Sequence, residues 1–301
     1  MAVSEVLCSG LVERIGDSMG SLTHKKNPGT NEERKYSEER PFSDHTVGMT
    51  RVMELLVDHD LGVIGSLDEI VACGHRVVQG GETFKTSCLV GEKELAQIDE
   101  LSPLAPLHNP ASLQGMKVIM KLLPKVPSVA VFDTEFHSTM APWAYRYALP
   151  TTLYTEHRVR RYGAHGTSHR YVAQKAAEFL GRPEKGFNVI TCHLGNGSSI
   201  TAVKDGQCVD TSMGMTPLAG VMMGTRCGDI DPAIHAYLGR ENGMGLEEID
   251  SMLNRQSGIK GVCGMNDMRD LHTAREKAGS KAAPAFGRVG HENRKDVGAR
   301  R

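Results

Sequence analysis

A glycine-rich stretch, residues 187–229, constrains the fold of this 301-residue chain more than any other segment. Two alternating runs, residues 189–194 and 199–203, flank the turn Gly195-Asn196-Gly197, and a second turn at Asp205-Gly206 leads into a third run. An Asp-Gly pair between alternating runs is a strong hairpin signal. The pattern therefore predicts a three-stranded antiparallel meander.

The first turn of this meander has the composition of a phosphate-binding loop. Glycines on both sides of Asn196 allow positive φ and let backbone N–H groups converge, and such concave sets of donors bind anions. An ordinary hairpin turn fits the same three residues. The phosphate interpretation is favoured by a second cluster of hydroxyls and glycine at 210–214 and by Arg226 among small residues, where its guanidinium can meet a charged oxygen.

Composition excludes several classes of protein. Lys and Arg number 35 against 36 Asp and Glu, a balance that argues against a general nucleic-acid binder. The sequence contains no apolar run long enough for a membrane span, and residues 1–16 lack the pattern of a signal peptide. Seven scattered cysteines without a CxxC pair indicate free thiols in a reducing cytoplasm.

Two charged residues elsewhere have the context of ligands. Arg76 lies in an apolar segment, where it needs an anionic partner, either a structural carboxylate or the carboxylate of a substrate. Asp133 ends an apolar strand, and ligands of α/β sheets bind outside the carboxyl ends of strands. It is either a carboxylate that organises magnesium or handles a proton, or a cap of the next turn.

His165 and His169 are four residues apart, a spacing that two zinc ligands on one helix can have. The segment lacks the Glu of HExxH, and Gly166 argues against a helix there, so the zinc interpretation is disfavoured. Ser168 or Thr167 is expected to cap a helix over residues 171–180.

The remaining elements follow from periodicity and caps. Residues 1–40 are polar and predict loops, and Ser43 or Asp44 predicts the start of a helix. Further helices are predicted over 111–123, from 230–234 onward and over 246–254. Pro284 and two glycines interrupt the C-terminal pattern, which predicts that residues 278–301 are disordered or aberrant.

Several motifs together resemble the acetate kinase family. They are HLGNGSS at 193–199, DTSMGMTPLAG at 210–220, GTRCGDIDPA at 224–233, RRYGAHGTSH at 160–169 and GHRVVQGG at 74–81. The resemblance implies reversible transfer of a phosphoryl group between ATP and acetate, with Mg²⁺. It also implies an α/β, two-domain ribonuclease H-like fold of the acetate and sugar kinase, heat-shock ATPase and actin superfamily. The expected domains are residues 1–134 on the acetate side and 135–301 on the nucleotide side.

The resemblance also assigns site residues. The expected catalytic residues are Asp133, His165 and Arg226; the substrate-binding residues are Arg76, Val78, Leu107, His108 and Pro217; the ATP-binding residues are His193, Leu194, Gly195, Asn196, Gly197, Asp267, Met268 and Arg269. No complete metal site is expected, although Asp133 is a candidate near Mg²⁺. The chain departs from the family pattern at Gln79, Ala164 and Met268, where His, Phe and Phe are usual. His137 is expected to be structural.

The resemblance does not include the family's two ends. Family members begin with a strand and a phosphate loop that carry an Asn and a Lys, and they continue beyond position 301 with an adenine loop and a magnesium-binding Glu. The fold is therefore expected to be incomplete at both ends, with exposed strand edges and apolar faces. Two alternatives to acetate kinase activity stay open: an inactive remnant that at most binds nucleotide, and a propionate or butyrate kinase. The expected partners are small molecules and a second copy of the chain.

Overall fold

The computed structural model describes residues 5–106, 108–277 and 281–300. The chain divides into two compact units. The first contains Met1–Val77, Cys88–Ser102 and Pro106–Val131, and the second contains Val78–Ser87, Pro103–Ala105 and Phe132–Arg301. The sequence-based division between residues 134 and 135 differs from this one by a few residues and by the two short segments assigned to the second unit.

In its described residues, the first unit combines two three-stranded sheets with three α-helices. The strands are β1 (Cys8–Glu13), β2 (Gly20–Lys26), β3 (Arg34–Arg40), β4 (Cys73–Val77), β5 (Cys88–Leu89) and β6 (Ser128–Phe132), and the helices are α1 (His45–Leu56), α2 (Glu92–Glu100) and α3 (Asn109–Leu122). One sheet has the order β1-β2-β3 and the other has the order β4-β6-β5. The predicted cap is confirmed for α1, because the side chain of Asp44 accepts a hydrogen bond from the Val47 amide.

The prediction of loops over residues 1–40 is wrong. β1, β2 and β3 form an antiparallel meander, and Leu22 at its centre packs with Phe42 and Leu55. Only one face of these strands is buried, and its apolar residues are interspersed with Gly20 and His24, so the alternation is weak in the sequence. Charged residues lie on both faces, since Glu38 of β3 pairs directly with Leu22 while Lys25 pairs with Lys35.

The first unit contains a cavity of about 450 Å³ with a largely apolar lining. Leu11 of β1, Ile15 after β1, Val52 of α1 and Val118 of α3 contribute to it. The side chain of Leu11 is 58% exposed.

The second unit carries the predicted meander. Its strands are β7 (Val189–Leu194), β8 (Ser198–Lys204) and β9 (Gln207–Thr211), paired antiparallel in that order, which confirms the prediction. Its helices are α4 (Pro142–Tyr145), α5 (Thr151–His157), α6 (Gly166–Phe179), α7 (Ala233–Asn242), α8 (Leu246–Arg255), α9 (Gly258–Cys263), α10 (Met268–Ala274) and α11 (Ala282–Ala299). Buried Ile200 and Val203 of β8 supply part of the core.

The predicted disorder of the C-terminus is wrong for residues 281–300; residues 278–280 and 301 lie outside the described part. Pro284 falls in the first turn of α11, where backbone N–H groups lack intrahelical partners anyway. Ala282 and Ala285 are fully buried against Leu271 and Met222, and Glu292 accepts a hydrogen bond of 2.6 Å from the Met222 amide. Tertiary packing therefore offsets the low helix propensity of the glycines in α11.

Candidate active site

The turn between β7 and β8 is the centre of the candidate site. The Gly195 amide donates to the Gly197 carbonyl at 3.1 Å, and the Asn196 carbonyl accepts from the Gly224 amide at 3.0 Å. Neither Gly195 nor Gly197 has positive φ, contrary to the reason given from sequence for these glycines. Close approach explains Gly197 instead, because a Cβ there would lie closer than 3.0 Å to Nη2 of Arg226.

Arg226 and His165 converge on this turn. The same Cβ position at Gly197 is 3.2 Å from Cε1 and 3.3 Å from Nε2 of His165. The other guanidinium nitrogen of Arg226, Nη1, donates to the Pro217 carbonyl at 2.6 Å and so holds the side chain in place. The structure thus brings together the predicted cation, the predicted histidine and the predicted phosphate loop.

The charge on Arg226 is poorly compensated by the protein. Burial lowers the pKa of its guanidinium. Within the described ranges it forms no salt bridge with a carboxylate. A partly buried cation close to a glycine turn and a histidine is suited to an anionic ligand with several oxygens, such as a phosphoryl group.

Asp133 and His165 are joined through the backbone. The amides of His165 and Gly166 donate to Oδ2 of Asp133 at 3.3 Å and to its carbonyl at 2.8 Å. His165 adopts the left-handed conformation (φ 59°) immediately before α6. The expectation that Gly166 prevents a helix is wrong: α6 begins at Gly166, where a Cβ would collide with the Asp133 carbonyl. Asp133 is only 1% exposed and follows β6, as predicted.

A network of histidines and serines surrounds the phosphate loop. The rings of His165 and His193 stack with centroids 4.0 Å apart. Nδ1 of His193 is 2.9 Å from the Ser168 hydroxyl, so Ser168 contacts a site histidine and does not cap α6 as predicted. Ser199 lies between two imidazoles, 2.9 Å from Nδ1 of His165 and 2.7 Å from Nε2 of His169. The sequence indicates the link between these two histidines only through Ser199 itself, a polar residue in a strand that also contains Ile200, Ala202 and Val203.

His137 is part of the core beside the site. It is completely buried, and its ring nitrogens lie 2.9 Å from the Ala164 carbonyl and 3.1 Å from the Cys208 thiol. Burial lowers the pKa of His137 to about 4. Ala164 itself packs with Met213 and Met223, so methionines lie beside the position where the family has an aromatic ring.

The described residues contain no group of three or more His, Cys, Asp or Glu side chains arranged to hold a metal ion. His165 and His169 share a serine hydroxyl instead. Mg²⁺ often binds through one or two carboxylates together with substrate phosphates. Asp133 supplies one such carboxylate at this site, so the residues fit a magnesium ion held jointly with a nucleotide and do not fit one held by protein alone.

The predicted substrate-binding residues are divided between the two units. Arg76 on β4 and His108, immediately before α3, belong to the first unit and are exposed. Val78 and Pro217 are half-buried residues of the second unit. Leu107 lies outside the described residues. Gln79 is buried, and its Oε1 accepts from the Gly81 amide.

The predicted adenosine segment forms the start of α10. Asp267 caps this helix and accepts from the Arg269 amide at 2.8 Å, and the two side chains form an ion pair. Hydrogen bonds from Arg269 lower the pKa of Asp267 to about 2. Met268 is 42% exposed beside them. Leu194, at the end of β7, is 63% exposed.

Comparison with known proteins agrees with these motifs. The sequence matches the Acetokinase family over residues 1–299. The chain belongs to the acetokinase family. It is 55% identical to the acetate kinase of Nitratidesulfovibrio vulgaris (strain Miyazaki F) over 299 residues, which are 99% of this chain and 74% of that protein. It is 53% identical to the acetate kinase of Thermotoga petrophila over 272 residues, which are 90% of this chain and 66% of that protein.

Solved structures of the family have the same fold. The acetate kinase of Porphyromonas gingivalis superimposes with a TM-score of 0.92 at 41% identity, over 98% of this chain and 73% of that one. A propionate kinase from Francisella tularensis gives 0.91 at 41% identity, with the same coverage. The predicted family, the predicted α/β fold of acetate and sugar kinases and the assignment as a phosphotransferase are confirmed. No helix in the described part of the chain is long and apolar enough to cross a membrane.

Proposed function

We propose that this chain catalyses reversible transfer of the γ-phosphoryl group of ATP to acetate, giving acetyl phosphate and ADP. The observation that supports this most directly is the convergence of Arg226, His165 and the phosphate loop around the Cα of Gly197. Phosphoryl transfer needs little covalent chemistry from the protein and depends on positioning and on charge stabilisation. The half-buried guanidinium of Arg226, which has no carboxylate partner in the described residues, supplies the charge stabilisation.

The proposed roles follow from this geometry. Arg226 and Nε2 of His165 donate to the equatorial oxygens of the phosphoryl group, while the residues from His193 to Gly197 hold the nucleotide phosphates. A carboxylate oxygen of acetate attacks the γ-phosphorus as the bond to the β-phosphate oxygen breaks, so that the charge passes to ADP. Bound Mg²⁺, held by Asp133 and the phosphates, would neutralise part of that charge.

The acyl and nucleotide ends are assigned in the same proposal. As the family resemblance implies, Arg76 and His108 would bind the acetate carboxylate, and Val78, Leu107 and Pro217 would bind its methyl group. Asp267, Met268 and Arg269 would contact the adenosine. The first predicted domain would then serve acetate and the second the nucleotide.

The decisive experiment measures acetyl phosphate formed by the purified chain from MgATP and acetate. Arg226→Ala, prepared identically, is the control for contaminating host kinase. We expect turnover by the natural chain and a fall in kcat far larger than any change in KM for Arg226→Ala, because the guanidinium acts on charge that develops in the transition state. Equal product from both chains would refute the proposal and leave a protein that at most binds nucleotide, which a thermal-shift titration with MgADP would detect.

A second candidate function is that of a propionate kinase. It is supported by the 41% sequence identity of this chain to a propionate kinase of known structure, which equals its identity to an acetate kinase of known structure. Acids of increasing length would separate the two, since a methylene in a small apolar pocket changes selectivity by about 1–3 kcal/mol. A higher kcat/KM for propionate than for acetate would favour the second candidate.

We further propose a homodimer located in the cytoplasm. All seven cysteines are free thiols, as expected in a reducing compartment. Large apolar side chains such as Phe179 and Leu246 are 89% and 80% exposed, and a second subunit would cover surface of this kind. Sedimentation analysis of the purified chain tests the dimer.

A further inference from the structure

Behind the candidate catalytic histidine lies a continuous chain of hydrogen bonds. Nδ1 of His165 is 2.9 Å from the Ser199 hydroxyl, which is 2.7 Å from Nε2 of His169. Nδ1 of His169 is in turn 2.7 Å from the hydroxyl of Thr191. Ser199 is completely buried, and His169 and Thr191 are 1% and 3% exposed, so water does not compete for these contacts.

The contacts of Thr191 give this chain a direction. Its hydroxyl has two acceptors within reach, Nδ1 of His169 at 2.7 Å and the Thr201 carbonyl at 3.5 Å, and the shorter contact receives its single proton. Nδ1 of His169 therefore carries no proton. Burial lowers the pKa of His169 to about 2, so this ring is neutral and carries its one N–H on Nε2.

The direction carries through to His165. With its proton on Nε2, His169 donates to the oxygen of Ser199. The Ser199 hydroxyl is then left to donate to Nδ1 of His165, whose own proton is on Nε2. Each donor in this arrangement meets one acceptor, with no conflict at any of the four residues.

We propose that Ser199 is a positioning residue for the reaction: supported by His169 and Thr191, it fixes the ring of His165 with its proton on Nε2 and directs that N–H at the phosphoryl site beside Gly197 and Arg226. The role in the reaction rests on the proposed kinase function, but the tautomer of His165 does not. The ring is held from behind by Ser199 and on one face by the stacked ring of His193. Such support keeps Nε2 in place beside Arg226.

The tautomer is measured directly on the full chain labelled with ¹⁵N-histidine. Long-range ¹H–¹⁵N correlations at pH 8, where an ordinary imidazole is neutral, distinguish the two neutral forms. The His165 signal is identified as the one missing from His165→Gln. We expect His165 with its proton on Nε2. A proton on Nδ1 would overturn the proposal, and this result does not depend on any Ser199 variant.

Two variants test the role of Ser199. Ser199→Ala removes the hydroxyl, and Ser199→Cys keeps the shape with a poor hydrogen-bonding group. Thr201→Val is the matched control, because Thr201 is another fully buried hydroxyl on the same face of β8 and pairs with Thr211 at 2.8 Å. We expect the His165 nitrogen shifts to move in both Ser199 variants and to stay unchanged in Thr201→Val. Unchanged shifts in all three would refute the role of Ser199.

Kinetics give the second readout. Loss of the positioning bond should lower kcat by about 10- to 100-fold in Ser199→Ala, with KM for acetate and ATP nearly constant. A merely structural serine would change the amount of folded protein and leave kcat per folded molecule unchanged, which would overturn the proposal. A natural chain with the Nε2–H tautomer but no turnover would refute the proposed function alone, and an active chain with the Nδ1–H tautomer would refute this inference alone.

Discussion

The sharpest test of the candidate site is to add one methyl group, through Gly197→Ala. A Cβ at this position would lie closer than 3.0 Å to Nη2 of Arg226 and 3.2–3.3 Å from the ring of His165. Because Gly197 does not have positive φ, alanine is compatible with its backbone conformation. The substitution therefore acts on the site and not on the fold.

The size of the effect follows from the displacement that the methyl group imposes. Carbon needs about 3.5 Å or more from a neighbouring heavy atom, so the end of Arg226 must move by roughly 1 Å. A misplacement of about 1 Å at a reacting centre can reduce the rate about 100-fold. The guanidinium is the end of a flexible side chain, so its movement costs little folding energy, and we expect the free energy of unfolding to change by less than about 1 kcal/mol.

The assay compares kcat, KM and denaturant unfolding for the natural chain, Gly197→Ala and Gly115→Ala. Gly115 lies inside α3, and a Cβ there meets no atom within 4 Å, so this control adds the same methyl group without a collision. We expect kcat to fall about 100-fold only in Gly197→Ala. A Gly197→Ala chain with natural kcat would refute the placement of Arg226 against the phosphate loop.

Two further predictions concern stability. Burial lowers the pKa of His137 to about 4 and that of His169 to about 2, below the 6.5 of an exposed imidazole. The unfolded chain therefore binds more protons below pH 6.5, and lowering the pH from 7 to 5 should reduce the free energy of unfolding by about 2 kcal/mol for each histidine. Asp296, whose pKa burial raises to about 6, offsets part of this loss. Urea unfolding across this range should show the loss, and constant stability would contradict it. In α11, the Cβ added by Gly287→Ala meets no atom within 4 Å, so this variant should stabilise the helix by about 1 kcal/mol. Ala285→Asp should undock the helix, because Ala285 is fully buried. Hydrogen exchange of α11 measures both effects, and equal protection in the two variants would show that the helix is not docked as described.

Local signals in the sequence were enough for the elements that carry the site. The turn Asp205-Gly206 and the alternating runs around it define the meander without reference to the rest of the chain, and Asp44 identifies the start of α1 by its capping side chain. In both cases the determining interaction lies within a few residues of the element.

The elements that were predicted wrongly from the sequence depend on contacts between residues that are distant in the chain. β2 buries Leu22 against Phe42 and Leu55, and α11 forms around glycines because Ala282 and Ala285 pack on Leu271. Neither set of contacts can be inferred from propensity, since tertiary packing overrides it. The bond between Ser168 and His193 was missed for the same reason, because it joins α6 to β7.

The glycines of the motifs show why the sequence predicted which residues form the site but not how they are arranged there. Gly166, Gly197 and Gly224 occupy positions where a Cβ would collide with the Asp133 carbonyl, with Arg226 and with the Asn196 side chain, respectively. None of the three has positive φ, so backbone freedom is not the reason for glycine at these positions. Three segments that are distant in the sequence meet here with no room for a side chain between them. The density of glycine in the motifs therefore reflects how closely the site residues approach one another, which a sequence indicates only through the absence of side chains.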